Sequence, residues 1–152
     1  MDLKFFLKNL PAFEEFKAPH LDILAARLQV EQHDDGHVFI RQGTQGQALY
    51  LLLQGSVRIT RRDAGDEAEQ EVRELSDGEI FGMLSLIDDL PASATCVARG
   101  SVTTAALTRD AFQQLFHDAS PIGHHLQYMV AVQMARDIQD ENKRFRAALA
   151  NA

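Results

Sequence analysis

The chain has 152 residues, 45% hydrophobic and 24% charged, the make-up of a folded globular domain rather than a disordered segment. Its 15 Lys and Arg against 22 Asp and Glu give a net charge of −7, which disfavours wholesale binding to nucleic acid or to an anionic membrane. Cys96 is the only cysteine, which excludes an intrachain disulfide and a cysteine-based zinc cluster; a buried, inert thiol is the expectation.

Taken in chain order, Asp2 is placed to cap a short helix whose apolar residues Leu3, Phe6, Leu7 and Leu10 recur at helical spacing until Pro11 interrupts it. Ala12 to Phe16 is another short piece, and Pro19 suits the first turn of a helix running to about Gln29, with Leu21, Leu24, Ala25 and Leu28 as its core stripe. From Val30 the texture changes to short apolar runs punctuated by glycine. His37 to Arg41, Ala48 to Leu53, Ser56 to Arg61, Gln70 to Leu75, Glu79 to Phe81, Thr95 to Ala98 and Val102 to Leu107 read as strands. About seven or eight strands at this spacing predict an antiparallel β-barrel or jelly roll. Thr108 caps a helix over Arg109 to His117, and Pro121 restarts a long one from about Ser120 to Leu149. Ile122, Leu126, Met129, Val130, Met134, Ile138, Phe145 and Leu149 mark one face of it, a stripe longer than one small barrel can cover.

The expected organisation is therefore one α+β domain over 1–152. Short helices occupy 1–29, the barrel 30–107 and the C-terminal helices 108–152. No run is long and apolar enough to span a membrane, and the first residues lack a leader pattern, so a cytoplasmic location is expected.

The stretch that breaks the strand rhythm is Phe81-Gly82-Met83-Leu84-Ser85-Leu86-Ile87-Asp88-Asp89-Leu90-Pro91-Ala92-Ser93-Ala94-Thr95. It reads as one or two helical turns opened by glycine, a bend at Asp-Asp-Leu-Pro, then a strand. Two readings fit: a plain connector between strands, or a short helix whose free backbone N–H groups hold a phosphate.

This stretch resembles the phosphate-binding cassette of the cyclic-nucleotide-binding domain family, which includes the catabolite activator protein and the regulatory subunits of protein kinase A. The family cassette reads roughly Phe-Gly-Glu-Leu-(small)-Leu, a short loop, then Arg-(Ala/Ser)-Ala-(Thr/Ser)-Val. The resemblance extends through Gly36, Val38, Phe39, Gly43, Gly46, Tyr50, Gly55 and Val57, which fall in register with the family's glycine pattern, and covers about residues 5 to 145. It implies a regulatory domain with a cyclic nucleotide between barrel and long helix. The ligand surface would be residues 81–95, with Gly82, Leu84 and Ser85 offering backbone donors, Ser93 beside the phosphate and Thr95 near the base.

Two positions depart from the pattern. The family's ribose-binding Glu falls on Met83 and its phosphate-binding Arg on Ala92. A thioether is a feeble acceptor and alanine has no polar group. Two lost charged hydrogen bonds cost about 3–6 kcal/mol if additive, which moves a ~1 µM site to between roughly 100 µM and tens of mM. A helix N-terminus returns only about 0.3–2 kcal/mol for an anion. Cyclic AMP or cyclic GMP is thus expected to bind weakly or not at all, unless Arg73 or Arg99 enters the pocket to replace the missing arginine.

The resemblance also implies a homodimer through the long helix, while a helix packed along its own barrel remains the alternative. The transcription factors of the family continue into a helix-turn-helix domain that has no room before Ala152, so direct DNA binding is not expected. A second functional reading is a protein-interaction module in which Met83 fills the old pocket. A metal-dependent cupin needs a third histidine beside His33 and His37, and none lies in a nearby strand. His124, His125 and Cys96 are conceivable haem ligands, with surface or interface roles the simpler account of the histidines. No Ser/His/Asp order, paired-carboxylate motif or triphosphate loop stands out, so no enzymatic activity is expected.

Overall fold

The structure, a computed structural model, describes residues 2–10, 13–83 and 90–151, apart from the side chains of Gln133 and Asp137. In chain order the elements are α1 (Leu3–Lys8), α2 (Ala18–Arg27), β1 (Gln29–His33), β2 (Val38–Ile40), β3 (Ala48–Arg61), β4 (Gln70–Leu75), β5 (Ile80–Phe81), β6 (Thr95–Thr108), α3 (Arg109–Asp118) and α4 (Ser120–Ala150). All pairings are antiparallel: the sheet runs β1-β6-β3-β4, with β2 also on β6 and β5 on β3. Among the described residues no ladder joins β1 to β4, so the roll is open.

The cap readings hold. The Asp2 carboxylate accepts from the Phe5 N–H and the Thr108 hydroxyl from the Ala111 N–H at 3.1 Å, while a proline sits in the first turn of both α2 and α4. The strand count differs from the sequence expectation, because two pairs of short runs are single 14-residue strands. In β3 the register against β6 shifts on both sides of Gln54. Gly55 at that bulge has φ +115°, and a Cβ there would lie 2.7 Å from the Ser101 carbonyl oxygen. Glycine lets the strand bend and continue where any side chain would have to end it. The slip also changes side-chain parity, so Leu52 and Val57, five residues apart, point to the same side.

Two cores result. The outer one packs Leu49, Leu51, Leu53, Ala105 and Leu107 of the sheet against helical residues including Leu7, Leu24, Phe112, Leu115 and Leu126. The inner one fills the roll with Ile40, Leu52, Val57, Leu75, Phe81, Cys96, Ala98 and Val102. The chain leaves the sheet at β5 and rejoins it at β6; Phe81 and Ala92 pack with the inner core and Met83 against the outer one. Ile122, Leu126 and Val130 seat the first part of α4, whereas every described side chain from Met134 onward is exposed.

Candidate functional site

The segment from Phe81 is held by its two ends. Phe81 pairs with Tyr50, their rings stacked at 5.0 Å and 18°, and Phe39 meets both edge-on at 5.3 and 5.4 Å. Gly82 follows with φ +75°; a Cβ on it would stand 2.8 Å from both the Ala48 carbonyl oxygen and Ile40 Cδ1. The glycine is required twice over, for its backbone angle and for the close approach of β3. Met83, half-buried, turns toward the outer core. There it lines an apolar crevice with Leu24, Ile80, Leu126, Met129 and Val130, with internal room of about 20 Å³. That is the space of one water and too small and too apolar for a nucleotide. Leu84 and Ser85, with the short helix read over 83–87, lie outside the described residues.

The returning end is fixed by a small backbone exchange. The Gly43 N–H donates to the Ala92 carbonyl at 2.9 Å, and the Ala92 N–H donates to the Thr44 carbonyl at 2.8 Å. Ala92 is half-buried against the inner core, Ser93 is exposed, Ala94 is half-buried and Thr95 is buried. The Thr95 hydroxyl accepts from the Gln42 N–H at 2.9 Å, and the Gln42 side chain closes a pair of hydrogen bonds with the Arg62 backbone at 2.9 and 3.0 Å. The 41–46 turn thus cradles the end of the cassette, a contact the sequence signalled only through Gly43 and Gly46. The structure brings Gly82 and the 92–95 stretch to one end of the roll and directs Met83 to the other core.

Arg73 and Arg99, the two candidate replacements, are both ion-paired. Arg73 contacts Glu79, and Arg99 lies 3.3 and 3.4 Å from the Glu74 carboxylate oxygens. Glu74 also accepts from Ser56; that bond and the Arg99 guanidinium hold its carboxyl below the usual range. Either arginine would have to break its pair to serve a ligand.

His33 and His37 face each other across the β1–β2 turn, rings stacked at 3.7 Å and 8°, both edge-on to Phe39. An ion must lie in the plane of each imidazole it binds, so parallel stacked rings do not converge on one metal. Among the described residues no group of three or more His, Cys, Asp or Glu is arranged to hold one. Burial and His33 push the His37 ring below its usual value, with Glu31 partly opposing. The Tyr50 phenol is pushed up by burial and by Glu31. Burial also drives the Cys96 thiol up to about 12, which keeps it protonated and inert. His125 packs on Phe16 at 4.5 Å and His124 on Phe116 at 5.0 Å, so each ring is engaged with a phenylalanine of its own domain.

α3 and α4 meet at a sharp junction, where Ala119 has φ −148° and ψ 64°. Arg27 at the end of α2 clamps it, bonding Asp118 at 2.9 Å and Gln114 at 3.3 Å. Among the described residues no helix is long and apolar enough to cross a membrane.

An open antiparallel roll flanked by helices, with a positive-φ glycine directly after β5, has the fold of a cyclic nucleotide-binding regulatory domain. The family model described as the cyclic nucleotide-binding domain matches residues 30–119, and this chain belongs to that family. It is 31% identical over 125 residues to the cyclic AMP receptor protein of Thermus thermophilus, covering 82% of this chain and 57% of that protein. The crystal structure of the catabolite activator protein of the same organism superposes with a TM-score of 0.77 at 28% identity, over 91% of this chain and 62% of that one. A TM-score of 0.76 at 26% identity, over 97% and 50% of the two chains, relates it to the regulatory subunit of a cAMP-independent protein kinase A from Trypanosoma brucei. That structure is of a triple variant, one change of which introduces an arginine, bound to cAMP in the A site. The chain spans only 15–30% of the length of the matched protein kinases and kinase regulatory subunits.

Proposed function

We propose that this chain is a regulatory domain, 1–152, whose ordinary cyclic AMP binding is weakened or lost. Its ligand surface would be formed by Gly82, Met83, Leu84, Ser85, Ala92, Ser93, Ala94 and Thr95. The observation that carries this reading is the pair of substitutions in an otherwise well-kept frame. Gly82 has a positive φ and a close approach to β3, and the Ala92 backbone is fixed by its exchange with Gly43 and Thr44, while Ala92 brings no guanidinium and Met83 points its thioether into the outer core. The trypanosomal relative lends support, since the form of that cAMP-independent protein bound to cAMP carries an added arginine. The domain acts by binding and not by catalysis, in the cytoplasm, without contacting DNA, and as a homodimer through α4.

A second reading, a protein-interaction module with no small-molecule ligand, is favoured by the seating of Met83 beside Leu126 and Met129 of α4. There the start of the cassette touches the long helix directly. Backbone amide shifts under millimolar cyclic AMP separate the two. Changes confined to Gly82 and 92–95 mark a residual site, and an unchanged spectrum leaves the interaction module.

A further inference from the structure

Ring contacts run unbroken from the β1–β2 turn to the start of the cassette. His33 and His37 stack at 3.7 Å and 8°, and both meet Phe39 edge-on. Phe39 in turn meets Tyr50 and Phe81, which stack on each other at 5.0 Å. Gly82 comes next, and a Cβ on it would stand 2.8 Å from Ile40 Cδ1 and 3.4 Å from Tyr50 Cδ2. Phe39 and Ile40 thus bear on the cassette root from β2. That strand is three residues long, and its register against β6 shifts between Val38 and Ile40, with Phe39 at the irregularity. A strand end held this way can shift without dismantling a ladder.

We propose that the His33–His37 stack is a proton-operated latch on the cassette. Closed while at least one ring is neutral, it holds Phe39 against Phe81; a proton on both rings opens it and frees Phe39 and Ile40 to move from Phe81 and Gly82. The inference concerns the frame of the segment and stands whether or not a cyclic nucleotide binds there.

The surroundings set the sign. Two imidazolium rings at this separation place like charges face to face. Among the described residues one carboxylate is within ion-pair distance of the pair: Glu31 Oε2 lies 3.0 Å from His33 Nε2. The other charged and titratable groups around the rings are committed, neutral or open to water. In the turn, the Asp35 carboxylate accepts from the Gly100 N–H at 2.7 Å, and Asp34 is exposed. On β6, the Ala98 N–H donates to the His37 carbonyl at 2.8 Å, but the neighbouring Arg99 is paired with Glu74. The Tyr50 phenol on β3 and the Cys96 thiol on β6 are both pushed up, so they stay neutral in acid. Glu31 can therefore offset one proton and not two. Burial and His33 hold the His37 ring below its ordinary value of 6.5, which puts the second proton below that pH. Parted rings bind protons more readily than stacked ones, so acid favours the open form.

The test follows backbone amides and histidine rings of the full chain by nuclear magnetic resonance from about pH 8 to about pH 5. The expected result is that the Phe81 and Gly82 amide shifts move with the midpoint of the His37 ring, and that contacts between the two imidazoles vanish over the same range. The movement is lost in His37→Phe, which keeps an aromatic face and binds no proton. In Glu31→Gln, which removes the offsetting carboxylate, the midpoint falls. Stationary Phe81 and Gly82 amides while the His37 ring titrates overturn the proposal. So does a movement that survives His37→Phe, or a midpoint unchanged in Glu31→Gln.

Discussion

Replacing Ala92 by arginine restores the one group the cassette most lacks, and the structure sets what the change should yield. The Ala92 backbone is already fixed by its exchange with Gly43 and Thr44, so a new guanidinium would start from an ordered position. A charge-assisted contact to a phosphate contributes roughly 1.5–3 kcal/mol, equivalent to roughly 10- to 150-fold in affinity. Against this, Ala92 is half-buried against the inner core, and seating a longer side chain there costs about 1–3 kcal/mol of fold stability if it packs inward. A long stem that follows the loop to solvent reduces that cost. Calorimetric titration of Ala92→Arg with cyclic AMP should therefore show affinity raised by at least about tenfold over the unaltered chain, in a somewhat less stable protein. A folded variant with unchanged affinity would refute the claim that the missing arginine is what weakens the site.

Met83→Glu should behave in the opposite way, because the side chain at 83 lines an apolar crevice with Leu126 and Met129. A carboxyl there costs at least about 1–3 kcal/mol, a drop in Tm of about 2–10 °C, without a gain in affinity; a rise in cyclic AMP affinity would show that the side chain swings inward. Gly82→Ala combines an unfavourable positive φ with a 2.8 Å approach to a backbone oxygen, and should lose about 2–5 kcal/mol in urea unfolding. A loss below about 0.5 kcal/mol would mean that the β3–β5 junction yields easily. For His37, the folded ring binds protons less readily than the unfolded one, so its contribution is fully present above the ordinary histidine value of 6.5 and is lost as pH falls through it toward the lowered value. Urea midpoints should fall between pH 8 and 5.5, less steeply in His37→Gln; equal slopes would remove the stack as the cause. Cys96 should resist thiol reagents until the protein is unfolded, and rapid labelling of the native chain would contradict its burial.

The frame was legible because local rules decided it. Asp2, Thr108, Pro19 and Pro121 marked helix starts by capping and ring geometry, and the glycine spacing announced the turns. Strand merging was not legible, since a bulge at Gly55 looks like a turn until the partner strand is in place. The direction of Met83 was equally hidden. Which core a side chain enters at the end of a two-residue strand depends on register and on α4 more than 35 positions away. The ion pairs that occupy Arg73 and Arg99 depend on how the chain turns after β4 toward Glu79 and on β6 and β4 flanking β3, which composition does not reveal. The aromatic box of Phe39, Tyr50 and Phe81 had a signal in the family register but no stated role there.

The central claim is that a well-kept cyclic-nucleotide frame has lost its ordinary ligand chemistry. Calorimetric titration of the unaltered protein with cyclic AMP, cyclic GMP and a cyclic dinucleotide tests it most directly. The account predicts affinity no tighter than about 100 µM for the two mononucleotides. Micromolar binding of either would contradict it, and would mean that another group, such as an arginine released from Glu74 or Glu79, completes the site.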